Sequence, residues 1–549
     1  MTGTTMFSKN NVLKTLMCII VSILVILPSV VVHAELQQNN LQLNSGLEKE
    51  TKNLYQQGWR QLIDNGFGKE TNIATRGIAI YNDELYIGTQ NVKFPKLFQN
   101  TFPKILQKLS QLLPNILPKF LHRIQLFRII FKLVHSFRSC TIRTALHRVV
   151  KSSEGCEIWK YNYTTDSMIQ IVGDESITGM KSGFNYSFNC VASVMNEFKD
   201  KLYVGTWSTS IGSLRDPHRK GGEIWRYDGT RWEQVVGHNA PIMKGGFGNF
   251  NNVAIWSMEE FNDYLYVGTM NWDFSQNGGC EIWRTQDGVH WENVVTKGFK
   301  SNMSTLDRLV GVTNTYAWSM EIFQNQLYVG TFNARYRLFA QAGMGCQLWR
   351  TSEGKNWSKV NLPTGITGFF KDGFGEPENY GIRRMVVYND ELYVGTAANI
   401  IRNKGCEIWK YDGIHWTPII SANVPGVKKS DIEYSGFGNP LNKYVWSMIV
   451  SSDNKLWVGT ANGKFVNLIE PETEGCEIWC YDGIKWTPIV KDGNDGIPPN
   501  GFGNTKNEGA RSMIEYPHRS GNIVVGTFKL VSTRLLIPQE GCDLWMLVV

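Results

Sequence analysis

Seven copies of one short phrase predict an all-β fold, a seven-bladed β-propeller closed by an N-terminal strand that completes the C-terminal blade. The phrase is Leu265-Tyr266-Val267-Gly268-Thr269, and the glycines marking its copies are Gly88, Gly205, Gly268, Gly330, Gly395, Gly459 and Gly526. A second phrase, Gly-Cys-Glu-Ile-Trp in most units, follows each copy and ends at Trp159, Trp225, Trp283, Trp349, Trp409, Trp479 or Trp545. Glycine spacings of 63, 62, 65, 64 and 67 residues from the second unit onward set a fixed period, and the first interval of 117 holds an insertion. The third observation is that the two chain ends are complementary parts of one unit.

Each unit reads as four β-rich runs. In the third they are Val253 to Phe261, Leu265 to Gly268, Cys280 to Thr285 and Trp291 to Val295, with Asn262-Asp263 and Asp287-Gly288 as turn signals. Four short strands with no room for a helix describe a propeller blade rather than a βαβ unit. The last unit stops after its third strand, Trp545 to Val549, while Trp59-Arg60-Gln61-Leu62-Ile63 and Gly66-Phe67-Gly68 copy the end of a unit at the other terminus. Joining the two closes the ring and leaves no free sheet edge.

Ahead of this, Lys9 and Lys14 precede an uncharged run from Leu16 to Leu27 and a small-residue exit through Val32 to Ala34. Residues 1–34 therefore read as a secretory signal, the competing reading being an uncleaved anchor, and either places the rest outside the cytoplasm. Residues 35–54 form a linker, 55–549 the propeller, and 92–150 an insertion within the first blade. Six of the ten cysteines, Cys156, Cys280, Cys346, Cys406, Cys476 and Cys542, hold one position in successive units. Ring symmetry spreads them apart, so buried thiols are expected in place of a disulfide framework or a metal site. Cys140, Cys190 and Cys480 fall outside this pattern.

The insertion carries 12 Lys and Arg between Val92 and Ser153 and no acid, so of a net charge of +7 it holds +12 and leaves −5 for the rest. Prolines break its first part, and the helix expected over about 121–150 is amphipathic, with Phe127, Ile130 and Phe137 on the apolar side and Arg123, Arg128, Lys132 and Arg138 mostly on the other. Two readings stand: contact with an anionic membrane surface, or a cap docked on the propeller. Nucleic acid is not an expected partner, since the chain is exported and the strip lacks polar and aromatic readers.

In a four-strand meander the loops before strand one and after strand two share a face, and here that face holds all the length variation. Near the start of strand one the units read Arg76, Ser193, Trp256, Trp318, Arg383, Trp446 and Arg511, side chains expected to ring the channel mouth. Four positions earlier every unit has Asn, from Asn72 to Asn507, which suits a loop-shaping bond that every unit needs. Fourteen of the 19 tryptophans belong to repeated packing positions, and the other five, Trp207, Trp256, Trp272, Trp318 and Trp446, lie on the variable face. Exposed indoles beside Arg donors suit sugar rings and hydroxyls, whereas the opposing reading is an aromatic plug.

The turns Thr285-Gln286-Asp287-Gly288-Val289-His290-Trp291, Thr351-Ser352-Glu353-Gly354-Lys355-Asn356-Trp357 and Asp228-Gly229-Thr230-Arg231-Trp232 resemble the Asp-box of sialidase-like propellers, one residue short between Asp and Gly. The resemblance covers only this turn and implies fold, since Asp-boxes lie far from the catalytic centre. Sialidases are usually six-bladed and use an Arg triad, which Arg76, Arg383 and Arg511 could mimic, with a Tyr-Glu pair and an Asp that no motif places here. No phosphate loop, His-Glu-x-x-His or nucleophile elbow occurs, and no cofactor is implied. The loop Lys491 to Gly496 reads as a plain turn before it reads as a calcium loop. The expected function is an exported, non-catalytic module binding a glycan or other extracellular ligand. The alternatives are a glycoside hydrolase or lyase using two of Asp273, Asp307, Glu376, Glu378 and Glu508, or a structural or adhesive surface protein.

Overall fold

The computed structural model describes residues 58–92, 153–208, 220–273, 277–303, 313–337, 340–343, 345–364, 372–400, 404–421, 435–465, 471–494, 496–529 and 540–549. The signal, the linker and nearly all of the insertion lie outside them, as do Arg123, Phe127, Arg128, Ile130, Lys132, Phe137, Arg138, Cys140 and Asp307. Among the described residues the helical elements are single 3₁₀ turns of three or four residues, and no helix is long and apolar enough to cross a membrane.

The architecture is an all-β propeller. In the third unit Asn252–Phe261 pairs antiparallel with Tyr264–Asn271, that strand with Ile282–Thr285, and Ile282–Thr285 with Glu292–Val295, and the other units repeat the pattern. Apolar side chains on both faces of each meander pack against the neighbouring meanders, so the core lies between units. First and second strands also touch the next unit through single bridges such as Trp207↔Ala254, Met270↔Tyr316 and Phe332↔Gly381. With Ala74↔Phe528 these bridges close a cycle of 14 strands around an axial channel. The N-terminal strand Trp59–Ile63 pairs with Leu544–Leu547, Trp59 opposite Leu547 and Gln61 opposite Trp545, so the two ends share one meander as expected.

The repeated phrases meet in one buried network. Asn379 Nδ2 donates to the Gly373 carbonyl at 3.1 Å and to Glu407 Oε2 at 2.8 Å, and the same carboxylate accepts the Trp409 indole N–H at 3.0 Å. Thr396 Oγ1 accepts the Glu407 backbone N–H at 2.8 Å, and Asn189, Glu223, Trp225 and Thr206 repeat the arrangement. Invariance across the units is thus explained by loop shaping and by satisfying a buried carboxylate. The Gly of Gly-Thr is required by close approach: a Cβ on Gly268 would lie 2.6 Å from the Ala317 Cβ of the next unit.

Ahead of each first strand a phenylalanine stands in left-handed backbone conformation, with φ of 58° at Phe247, 58° at Phe374 and 56° at Phe437. That conformation costs a non-glycine residue about 1 kcal/mol or more. It is offset by stacking on the third-strand indole, as in Phe247 on Trp283 at 4.6 Å and 6°. The eight cysteines among the described residues, Cys190 and Cys480 included, are buried as thiols.

Candidate functional site

The seven positions expected at the channel mouth coincide with a β-bulge in every unit. The ladder between first and second strands skips a residue at Ala192/Val194, Ile255/Ser257, Ala317/Ser319, Ile382/Arg384, Val445/Ser447 and Ala510/Ser512, and across Thr75/Ile78 in the first unit. The residue skipped is Ser193, Trp256, Trp318, Arg383, Trp446 or Arg511, and Arg76 sits in the wider gap. A bulge withdraws a residue from pairing and re-aims its side chain, which is why one position per unit is free to vary while its neighbours repeat.

The expectation of exposed aromatic platforms is corrected. Arg76, Trp318, Arg383 and Arg511 are buried, and Trp207, Trp256, Trp272 and Trp446 are half-buried. Trp207 packs on Trp256 at 5.7 Å and on Trp272 at 6.1 Å, while Trp318 contacts Phe332, Tyr316 and Tyr444. The physical reason is that first strands are innermost, so bulky side chains there fill the axis and cover one another. Gly381 and Gly509 make the room, since a Cβ at either would fall inside the indole of Trp318 or Trp446.

The guanidinium groups lie on these indoles. Arg76 stands 4.7 Å from the Trp256 ring centre and 5.8 Å from Trp207, Arg383 5.2 Å from Trp318, and Arg511 4.5 Å from Trp446. Arg384, a fourth cation that register in the repeat could have revealed because four other units carry Ser there, donates from Nε to the Trp446 carbonyl at 3.2 Å. Burial pushes the Arg76 guanidinium down to about 9, with the Arg384 charge adding to the shift. Burial likewise pushes Arg383 well below its ordinary range, followed by the charges of Arg384 and Arg76. Arg76, Arg383 and Arg384 therefore share one electrostatic field. Arg76 Nε, Arg383 Nε and Arg511 Nη1 are buried without a hydrogen-bond partner among the described residues.

The acids proposed from sequence are dispersed in role. Glu378 accepts from Asn399 Nδ2 at 2.5 Å, Glu376 lies 3.7 Å from Lys404, and Asp273 accompanies Asn271, whose Oδ1 accepts the Asp273 backbone N–H at 2.8 Å. Glu508 is buried on the strand that carries Arg511, and burial raises its carboxyl well above the usual range. Tyr380 and Tyr444, absent from the sequence reading, share a hydroxyl contact of 2.8 Å beside Arg383. Among the described residues no group of three or more His, Cys, Asp or Glu is arranged to hold a metal.

No protein-family model matches the chain. No curated protein matches it either. Among solved structures, an ulvan lyase described as a new polysaccharide lyase family, PL25, aligns at 10% identity over 88% of this chain and 94% of that one, with a TM-score of 0.41. Trypanosoma rangeli sialidase in complex with sialic acid aligns at 8% identity with a TM-score of 0.36, over 64% of this chain and 52% of the sialidase, about half its length. Penicillium chrysogenum α-L-arabinanase complexed with arabinobiose aligns at 11% identity over 73% and 92%, with a TM-score of 0.35.

Proposed function

We propose that this chain is an exported seven-bladed propeller, with Asp-box turns one residue short, that binds a glycan bearing carboxylate or sulfate groups at the mouth of its axial channel. One observation carries the reading: Arg76, Arg383 and Arg511 are buried on indole faces with N–H groups that no atom among the described residues satisfies. A guanidinium stays charged in proteins, so burying several without a counter-charge is costly unless a ligand supplies the anion. Half-buried Trp256 and Trp446 beside them offer indole surface to a sugar ring. Residues 1–34 direct export, and residues 92–150 hold the propeller at anionic lipid, testable by flotation of full-length and 92–150-deleted protein on anionic and neutral vesicles.

The test is a glycan array containing sulfated, uronate and neutral members, probed with wild type, R383Q and R511Q. Selective retention of acidic glycans by wild type, weakened about tenfold or more in each variant, supports the reading. Equal retention of neutral glycans, or variants that bind as wild type, refutes it. Glu508 favours a second reading, a hydrolase or lyase, because a carboxyl whose proton affinity burial raises suits a general acid. Depolymerisation of an acidic glycan by wild type and its loss in E508Q with binding intact would select the enzyme.

A further inference from the structure

Ahead of the third strand every unit but the fourth, which has Gln347, carries a carboxylate with one oxygen held by the repeated Asn or Trp: Glu157, Glu223, Glu281, Glu407, Glu477 and Asp543. The second oxygen is met differently from unit to unit. Lys69 lies 2.9 Å from Glu157, Lys404 3.0 Å from Glu407 and Lys529 3.0 Å from Asp543, while Asn249 donates to Glu281 at 2.7 Å and Asn439 to Glu477 at 3.1 Å. In unit two the partner is His238, whose Nδ1 stands 2.7 Å from Glu223 Oε1. Lysine stays charged and asparagine neutral across the neutral range, whereas imidazole exchanges its proton between about pH 5 and 8.

Units one and two allow a comparison within one molecule, because the loops after their fourth strands are built alike. Gly173 N–H donates to the Met180 carbonyl at 2.9 Å and Gly237 N–H to the Met243 carbonyl at 3.0 Å. Gln170 Oε1 accepts the Glu175 backbone N–H at 2.6 Å, and Gln234 Oε1 accepts that of Asn239 at 2.9 Å. The loops differ in how they are tied to the buried carboxylate. In unit one Lys69, from the Gly-Phe-Gly turn, bridges Glu157 and Asp174 of the loop at 2.9 and 3.2 Å. The corresponding turn of unit two has Tyr186 in place of Lys69, and His238, the counterpart of Asp174, reaches Glu223 directly. We propose that His238 and Glu223 form a proton-dependent latch, which holds the loop 237–243 when the imidazole carries its proton and slackens when it does not. Glu223 is fully buried and the His238 side chain 25% exposed. Facing the imidazole from the loop entering unit two is Tyr186, with its ring centre 5.4 Å away, and the ammonium of Lys220, ahead of the third strand, stands 4.4 Å from that same ring. Protonated, the pair joins opposite charges out of reach of water. Deprotonated, His238 offers one neutral N–H to a carboxylate that Asn189 and Trp225 also satisfy.

The latched state is the one that holds the proton, so by linkage the latch is complete at the acid end of the imidazole range and is lost as pH rises through it. His290 and His415 pair with Asp287 and Asp412 on exposed turns, so a melting curve of the whole protein would mix several histidines and the test is local. Hydrogen exchange of the full chain is followed by mass spectrometry, with rates normalised to intrinsic exchange at each pH. The 237–243 amides should exchange about tenfold faster at about pH 8.5 than at about pH 5.5, the difference between a charge-assisted and a neutral hydrogen bond, while 173–180 stays unchanged. In H238Q the 237–243 amides should exchange at the faster rate at both pH values. Where H238Q fails to fold, the comparison of the two loops in wild type still decides. An equal response of the two loops, no response of 237–243, or a pH dependence that survives in H238Q would overturn the latch.

Discussion

The repeat network and the axial channel handle buried polarity in opposite ways. In the network, Glu407 is buried yet accepts hydrogen bonds from Asn379 and Trp409, and lies 3.0 Å from the Lys404 ammonium. Along the same first strands, a few residues further on, Arg383 and Arg76 are buried with Nε unpartnered among the described residues. Both regions use charged groups in low-dielectric surroundings, where an unmet hydrogen bond costs about 1–3 kcal/mol and more for a charge. The carboxylate repeated in the network is satisfied by its neighbours, whereas among the described residues the guanidinium groups that differ between units keep N–H groups without a protein partner.

The sharpest way to break this contrast is to damage the repeated part. Trp349 is fully buried and stacked on Phe299 at 4.6 Å, so W349A should cost about 3–5 kcal/mol in urea unfolding. A cost under 1 kcal/mol would show that the repeated aromatic positions are not the core. Next, N379A removes the amide that satisfies both the Gly373 carbonyl and Glu407, and about 2–3 kcal/mol should be lost. The channel should respond in the other direction. R383Q removes a buried, unpaired charge, and a stability change between zero and about 2 kcal/mol of gain is expected, measured on the same denaturant curve. A loss as large as that of N379A would mean that Arg383 is structural and would remove the contrast. The smallest effect belongs to the turns between third and fourth strands, where Ile484 is 92% exposed and I484K should shift stability by no more than about 0.5 kcal/mol.

Much of the scaffold was legible because a repeat states its own alignment. The recurring Gly-Thr, the Trp phrase and the complementary chain ends led to the four-strand meanders and to the pairing of Trp59–Ile63 with Leu544–Leu547. The Phe of Gly-Phe-Gly was visible as a repeated residue, but nothing in its identity announced a left-handed backbone paired to an indole, as at Phe502 on Trp545 at 4.6 Å. The position of Arg76, Trp318, Arg383 and Arg511 was legible as the variable place in the repeat; their burial was not, because it depends on which side chains converge on the axis from units far apart in sequence.

By itself the sequence determined the period, the strand count per unit, the closure of the ring and the residues at which units differ, since hydrophobic alternation, turn chemistry and repetition are local properties. Tertiary structure alone decided that these differing residues sit in β-bulges and that Arg76, Arg383 and Arg384 from distant units share one field. Those are statements about distance across the channel and exclusion of water, and both arise only when separate units close around a common axis.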